Sequence, residues 1–272
     1  MRTDWLFLIV SEDNAQAVGA ANSAFRDIDL IEEELSRFKA YSDISRLGHL
    51  RAGQTMAIGL AAWDCLSLAK DVWAETQGAF DVAIGALYEL WRQRPAADPP
   101  GRDELEAARA RSGSHLFELI EDGFRGKLLA DHVQLDLGAI GKGYALDMAA
   151  GILREQWEIE NALLVTGGGS TVLAMGHDPA GEDWLINAGR DGSPPLPLTN
   201  SAVSASGFVF QGAHIINPRT GYPISTSKLR AWAVAPTAAL SDALSTAFLV
   251  MERAEVEEFC RRHPEITALF AT

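Results

Sequence analysis

The sequence predicts an α+β fold of mixed, largely antiparallel sheets and helices, and three observations carry that prediction. The first third holds long segments with apolar residues at helical spacing. From His115 onward the pattern turns to short apolar runs separated by turn residues. Two further apolar helical segments close the chain.

Taken in order, Trp5 to Val10 reads as a strand. After the turn residues Ser11-Glu12-Asp13-Asn14, the spacing of Ala17, Ala21, Ala24, Ile28, Ile31 and Leu35 predicts a helix, with Glu32, Glu33 and Glu34 on a solvated face. Leu60 to Trp73 repeats the pattern, with Leu66, Ala69 and Val72 toward one core and Gly78 as the stop. Pro95, Pro99 and Pro100 mark an exposed extended connection and the clearest break in composition. Beyond it, Leu116 to Ile120, the turn Glu121-Asp122-Gly123, Lys127 to Ala130 and Val133 to Leu137 predict hairpins. A helix over Gly143 to Gln156 follows, then strands at Ala162 to Thr166 and Thr171 to Met175 joined by Gly167-Gly168-Gly169. Strands near Trp184 to Ala188, His214 to Ile216 and Ala231 to Ala235 come next. Helices over Ala238 to Met251 and Ala254 to Arg262 end the pattern.

Composition excludes several classes. The chain has 272 residues, 47% hydrophobic and 22% charged, enough to bury a core without disulfides and too apolar for disorder. Its 23 Lys and Arg against 37 Asp and Glu leave a net charge of −14, which argues against nucleic acid or an anionic membrane as a general partner. A phosphate ligand has to be met by local devices instead. Cys65 and Cys260 form neither a disulfide framework nor a metal cluster, and each reads as a small buried hydrophobe. The opening Met1-Arg2-Thr3-Asp4 and a six-residue apolar run are too short for a signal peptide or a membrane span, so the expectation is a cytoplasmic protein without membrane insertion.

Chemistry concentrates in a few stretches. Leu135-Asp136-Leu137-Gly138-Ala139-Ile140-Gly141-Lys142-Gly143 runs from a strand through a glycine-rich turn into a helix, exposing backbone amides and a positive helix end to an anion, with Lys142 adding charge. The spacing is not that of a Walker P-loop, and a tight turn that simply needs glycine is the plain alternative. In His214-Ile215-Ile216-Asn217-Pro218-Arg219-Thr220-Gly221-Tyr222-Pro223, a histidine suited to accept a hydroxyl proton near neutral pH precedes a rigid turn; a lone histidine is by default more often structural than catalytic. Asp242, Ser245 and Thr246 fall on one helix face, and a carboxylate with hydroxyls suits a hard cation such as Mg²⁺; taken alone, Ser241-Asp242 at a helix start also reads as an N-cap. Gly78-Ala79-Phe80-Asp81-Val82-Ala83-Ile84-Gly85 and the run from Ser36 through Phe38 and Tyr41 to Leu47 each place an aromatic ring beside polar groups, which a planar ring ligand can use for stacking; taken alone, either also reads as a surface loop with a buried anchor.

In this order and at these separations, the stretches, together with the Gly167-Gly168-Gly169 turn and the Asp242-Ala243-Leu244-Ser245-Thr246-Ala247 segment, resemble the ApbE family of flavin transferases. The resemblance covers most of the chain, from Ser36 to Ala247. It implies a T-fold-like single domain, residues 1–272, with an α-rich lobe over about 1–94 and a β-rich lobe over about 102–272 around an FAD cleft. It implies FAD as substrate and Mg²⁺ as cofactor, with FMN transferred to a Thr or Ser hydroxyl of a partner flavoprotein and AMP released. An FAD pyrophosphatase and a non-catalytic flavin binder are the alternatives. Carried over by position, Met1, Phe38, Ala79, Phe80, Asp81, Asp136, Lys142 and Ile216 bind FAD, with Phe38 stacking on the isoalloxazine. The Ala139 carbonyl, Asp242, Ser245 and Thr246 hold the metal, and His214 is the base. Arg2 stands where the family commonly has glycine after its opening methionine.

Overall fold

A computed structural model describes residues 3–92, 99–188, 194–207, 215–224 and 230–271. In chain order the described elements begin with strand β1 (Trp5–Ile9), helices α1 (Asn14–Leu35) and α2 (Asp43–Gly48), strand β2 (Thr55–Ala57), and helices α3 (Leu60–Glu75), α4 (Gly85–Arg92) and α5 (Arg102–Arg109). There follow β3 (Phe117–Ile120), β4 (Arg125–Leu128), α6 (Gly141–Trp157), β5 (Ala162–Thr166), β6 (Thr171–Met175), β7 (Trp184–Ile186), β8 (Leu196–Leu198) and β9 (Ser201–Gly207). The chain ends with β10 (Arg230–Ala235), α7 (Ala238–Val250), α8 (Arg253–Arg262) and β11 (Thr267–Ala271).

The main sheet has six strands in the order β1-β5-β6-β9-β10-β11, every neighbouring pair antiparallel. Its first strand pairs with a strand from the middle of the chain, Trp5 opposite Thr166 and Ile9 opposite Ala162. Helices α6 and α7 pack on one face. Alternation in β9 and β10 turns Ala202, Ala231, Ala233 and Ala235 to that face, where they join the large core, while Val203 and Trp232 join a second cluster with Trp184, Ile186 and Leu198 of the β7-β8 hairpin. The helix-facing residues of these strands are small, which admits α7 close to the backbone: Ser241 Oγ donates to the Ala233 carbonyl at 2.7 Å. α7 is buried over nearly its whole circumference, as a helix apolar all round must be.

Most predicted elements are present, and the differences have local causes. Val133 to Leu137 does not join a sheet. Its backbone makes single bonds with the 82–85 segment instead, Asp136 N to Val82 O at 2.7 Å and Gly85 N to Gln134 O at 3.1 Å. Gly85 permits that approach, because a Cβ there would lie 2.5 Å from Gln134 Cβ. Of the predicted strand His214 to Ile216, the described part forms an isolated bridge, Ile216 opposite Pro223. The proline-rich connection lies largely outside the described residues. Glu34 is not on a solvated face, since its carboxylate accepts the Ala62 amide at the start of α3 at 3.3 Å. α3 stops as expected, Gly78 (φ 78°) donating to the Trp73 carbonyl at 2.8 Å. Among the described residues no helix is long and apolar enough to cross a membrane. Both cysteines are free, and burial pushes the Cys65 thiol well up from its ordinary value.

Candidate active site

The glycine-rich stretch forms the predicted turn into α6. Asp136 pins it from within: Oδ1 accepts the Gly138 amide at 2.9 Å, and Oδ2 pairs with Arg37 Nε at 3.1 Å. Gly141 N closes onto the Leu137 carbonyl at 2.7 Å and starts the helix. Lys142 folds back over the turn, its ammonium donating to the Gly138 carbonyl at 2.6 Å and to Asp242 Oδ2 at 3.2 Å, a residue 100 positions away. The Gly143 amide reaches the same carboxylate oxygen at 3.4 Å. This meeting depends on Gly143, because a Cβ there would lie 2.2 Å from the Ala238 carbonyl oxygen and 2.6 Å from the Ala239 nitrogen.

α7 supplies the other half. Its N-cap is Thr237, whose hydroxyl accepts the Leu240 amide at 3.3 Å, and Asp147 of α6 reinforces it by accepting the Ala238 and Ala239 amides at 2.7 and 2.8 Å. Asp242 is therefore not the cap that Ser241-Asp242 suggests on its own. It sits beyond the first turn, 4% exposed, with Oδ2 held by Lys142 and Gly143. Burial pushes the Asp147 carboxyl up to about 6, against the lowering effect of its two amide bonds, and the Asp242 charge adds to the rise. One turn on from Asp242, the hydroxyls of Ser245 and Thr246 lie 2.8 and 3.0 Å from Ser206 Oγ of β9, and Ser245 Oγ also donates to the Asp242 carbonyl at 2.8 Å.

The site thus brings together Lys142, Asp242, Ser245 and Thr246 with the turn that carries Ala139, and Asp136 fastens that turn. Phe38 stands beside it, 83% exposed, with the Arg37 guanidinium 4.6 Å from its ring centroid and 5.2 Å from that of Tyr88. Ala79 and Phe80 are core residues at 1% and 2% exposure. Asp81 is buried, its oxygens accepting from Ala83 N, Ser114 N and Ser114 Oγ at 2.7 to 2.9 Å; burial raises its carboxyl, and these hydrogen bonds oppose the rise. It also borders a cleft of about 230 Å³ shared with Arg109, His115, Pro218 and Arg219.

Ile216 is buried in a separate turn. That turn is held to the rest of the protein by Trp91 Nε1 on the Gly221 carbonyl at 2.8 Å and by Arg109 on the Thr220 and Arg219 carbonyls, both at 3.3 Å. Arg219 reaches out from it to Glu255 at 2.7 Å and to the Thr76 and Gln77 carbonyls at 2.7 and 3.0 Å. His214 and Met1 lie outside the described residues. Sequence reasoning missed Ser206, Arg37 and Arg219, each of which acts through a partner remote in the chain. A weak signal for Ser206 existed in the period-two run Ala202, Ser204, Ser206, which places a hydroxyl on the helix-facing side of a strand. Among the described residues no group of three or more His, Cys, Asp or Glu side chains is arranged to hold a metal ion.

On this antiparallel α+β scaffold, the glycine-rich helix start meets a buried carboxylate and two hydroxyls. The chain belongs to the ApbE family, whose profile matches residues 1–270. Among curated relatives, the FAD:protein FMN transferase of Klebsiella pneumoniae (strain 342) is 27% identical over 96% of this chain and 79% of its own length. That of Salmonella typhimurium is also 27% identical, with the same coverage. The solved flavin transferase ApbE from Vibrio cholerae superposes with a TM-score of 0.87 at 23% identity, covering 99% of this chain and 90% of that one. The ApbE protein from Thermotoga maritima gives 0.80 at 25% identity, covering 99% and 94%.

Proposed function

We propose that this protein is an FAD:protein FMN transferase that, with Mg²⁺, moves the FMN half of FAD onto a threonine or serine hydroxyl of an acceptor flavoprotein and releases AMP. The observation that carries the reading is the junction of Lys142 and Asp242 at the start of α6, in a chain of the ApbE family. The names of the curated relatives support the same activity.

The donor chemistry fits magnesium, which prefers oxygen ligands. Asp242 and Thr246 offer a carboxylate and a hydroxyl. The Lys142 ammonium already bridges the Gly138 carbonyl and the Asp242 carboxylate, so oxygens from both segments lie within reach of one cation. Asp242, Thr246 and the Ala139 carbonyl would hold the ion, with Ser245 beside them. When bound, the metal offsets charge on the pyrophosphate oxygens.

The chain's own residues supply the rest. Lys142 and the amides at the start of α6 present positive charge to a phosphate group, which an acidic protein cannot do by its surface at large. Asp136 keeps that turn in shape. Phe38, exposed and backed by Arg37, offers its free face to the isoalloxazine. Ala79, Phe80, Asp81 and Ile216 shape the walls of the FAD site, between two lobes of one domain. His214 takes the proton of the acceptor hydroxyl as its oxygen bonds to the FMN phosphorus and the bond to the AMP phosphate breaks.

The test is to incubate the protein with FAD and Mg²⁺, with and without a peptide bearing a candidate threonine, following AMP and peptide-bound flavin. Asp242→Ala should abolish both products while the melting temperature changes little, and undiminished turnover in that variant or with a chelator overturns the metal assignment. AMP without peptide flavinylation assigns the protein as an FAD pyrophosphatase instead. No AMP under any condition, with FAD still bound, leaves only a flavin binder. His214→Ala should slow transfer far more than it weakens FAD binding.

A further inference from the structure

Among the described residues, the protons of the hydroxyl cluster behind Asp242 have one arrangement. A serine or threonine hydroxyl has a single proton to donate and two lone pairs to accept with. Ser245 Oγ contacts the Asp242 carbonyl at 2.8 Å, and a carbonyl only accepts, so the Ser245 proton is committed there. In the 2.8 Å contact between Ser206 and Ser245, Ser206 must then be the donor. With the Ser206 proton spent, the 3.0 Å contact to Thr246 has Thr246 donating. The chain runs one way, from Thr246 to Ser206 to Ser245 to the Asp242 carbonyl.

We propose that Ser206 is a positioning residue for the cation site: by accepting the Thr246 proton it leaves the lone pairs of Thr246 Oγ1 to a divalent cation. This rests on the reading of Asp242 and Thr246 as cation ligands. It also divides the two helix hydroxyls by role. Ser245 is fully buried and already both donates and accepts within the relay, so it supports the ligands rather than serving as one. Thr246 is partly exposed and keeps its accepting capacity. Without Ser206, the Thr246 hydroxyl loses its observed acceptor among the described residues and is free to turn its proton toward the cation, where a positive hydrogen opposes ligation. The relay lies between β9 and α7, in the layer where small strand residues let the helix approach.

The experiment uses Mn²⁺ alone as probe, with free ion counted by electron paramagnetic resonance over the full-length protein. Ser206→Ala should raise the Mn²⁺ dissociation constant about 10-fold, the lower end of what loss of a ligand's supporting hydrogen bond costs a metal site. Metal-free FAD binding, read by flavin fluorescence, should stay within about twofold. Ser206→Thr keeps the hydroxyl and should restore Mn²⁺ affinity to within about threefold. Thr246→Val should itself weaken Mn²⁺ binding, and adding Ser206→Ala to it should change nothing further, because the two act as one unit. Should Ser206→Ala fold poorly, Ser206→Cys, with its weaker acceptor, should give an intermediate loss in folded protein. Unchanged Mn²⁺ affinity in Ser206→Ala, or additive losses in the double variant, overturns the proposal. Asp242→Ala separates this from the underlying reading: if it leaves Mn²⁺ binding intact, the cation site itself is refuted, whereas loss in Asp242→Ala without loss in Ser206→Ala refutes only the role of Ser206.

Discussion

Gly143 and Gly151 lie on the same helix, and substituting alanine at each isolates the contact that assembles the site. Alanine in a helix interior is favoured over glycine by about 1 kcal/mol. At Gly151 a Cβ meets nothing within 4 Å. Gly151→Ala should therefore raise stability by up to about 1 kcal/mol, or roughly 2–4 °C in a chain of this size. At Gly143 the same Cβ lands 2.2 Å from the Ala238 carbonyl oxygen and 2.4 Å from its carbon, both backbone atoms that no rotamer change can move. The starts of α6 and α7 must separate by about 1 Å to restore contact distance, an overpacking cost of roughly 1–3 kcal/mol that cancels or exceeds the helix gain. The same shift carries Lys142 from 3.2 Å toward 4 Å or more from Asp242. A displacement of that size at a catalytic group costs about 100-fold in rate. Thermal melts and the AMP-release assay on both variants test this. Gly143→Ala protein that melts with Gly151→Ala and turns over like the parent would refute the reasoning.

Asp147 has a folded-state value near 6 against an ordinary 3.8, so the folded protein holds its proton more tightly than the unfolded chain does. Stability from this group is present below pH 4 and is lost as pH rises through 6, by about 3 kcal/mol at most. Asp147→Asn should remove that fall, so urea melts from pH 4 to 7 should show the variant gaining on the parent with rising pH; a constant difference would contradict it. Arg219 joins the turn carrying Ile216 to the end of α3 and to Glu255. Its loss in Arg219→Ala should cost about 2 kcal/mol, reduced from the sum of its bonds because the side chain is partly solvated. Arg219→Lys, whose donors all sit on one nitrogen and so cannot span the acceptors that Arg219 reaches with three, should recover less than half; full recovery of the urea midpoint by lysine would show that charge alone suffices.

The parts of the fold legible in the sequence are those whose elements carry their own signal. α1, α3, α6 and α7 show apolar residues at helical spacing, and the α6 turn shows glycines between apolar runs. β9 shows none of this. It is a central strand built from Ser201-Ala202-Val203-Ser204-Ala205-Ser206-Gly207, small residues chosen by the closeness of α7 rather than by strand propensity. Val133 to Leu137 fails the other way, alternating like a strand while its backbone bonds go singly to residues 82–85. In the site, Asp242 and Lys142 stand out as charged residues in apolar or glycine-rich settings. Ser206 and Arg37 do not, because a hydroxyl or a guanidinium takes its meaning from partners 40 and 99 positions away, and nothing local announces them.

The pairing of β1 with β5 also governs how the chain is born. Synthesis at roughly 5–20 residues per second leaves the first strand without its partner for about 10–30 s, until β5 has emerged. During that interval Leu6 and Leu8, which remain 56% and 47% exposed even in the finished sheet, stand on an unpaired apolar strand. A nascent-chain chaperone therefore has a client segment in β1. The main sheet thus begins at that pairing, and its other four strands, β6, β9, β10 and β11, come later in the chain.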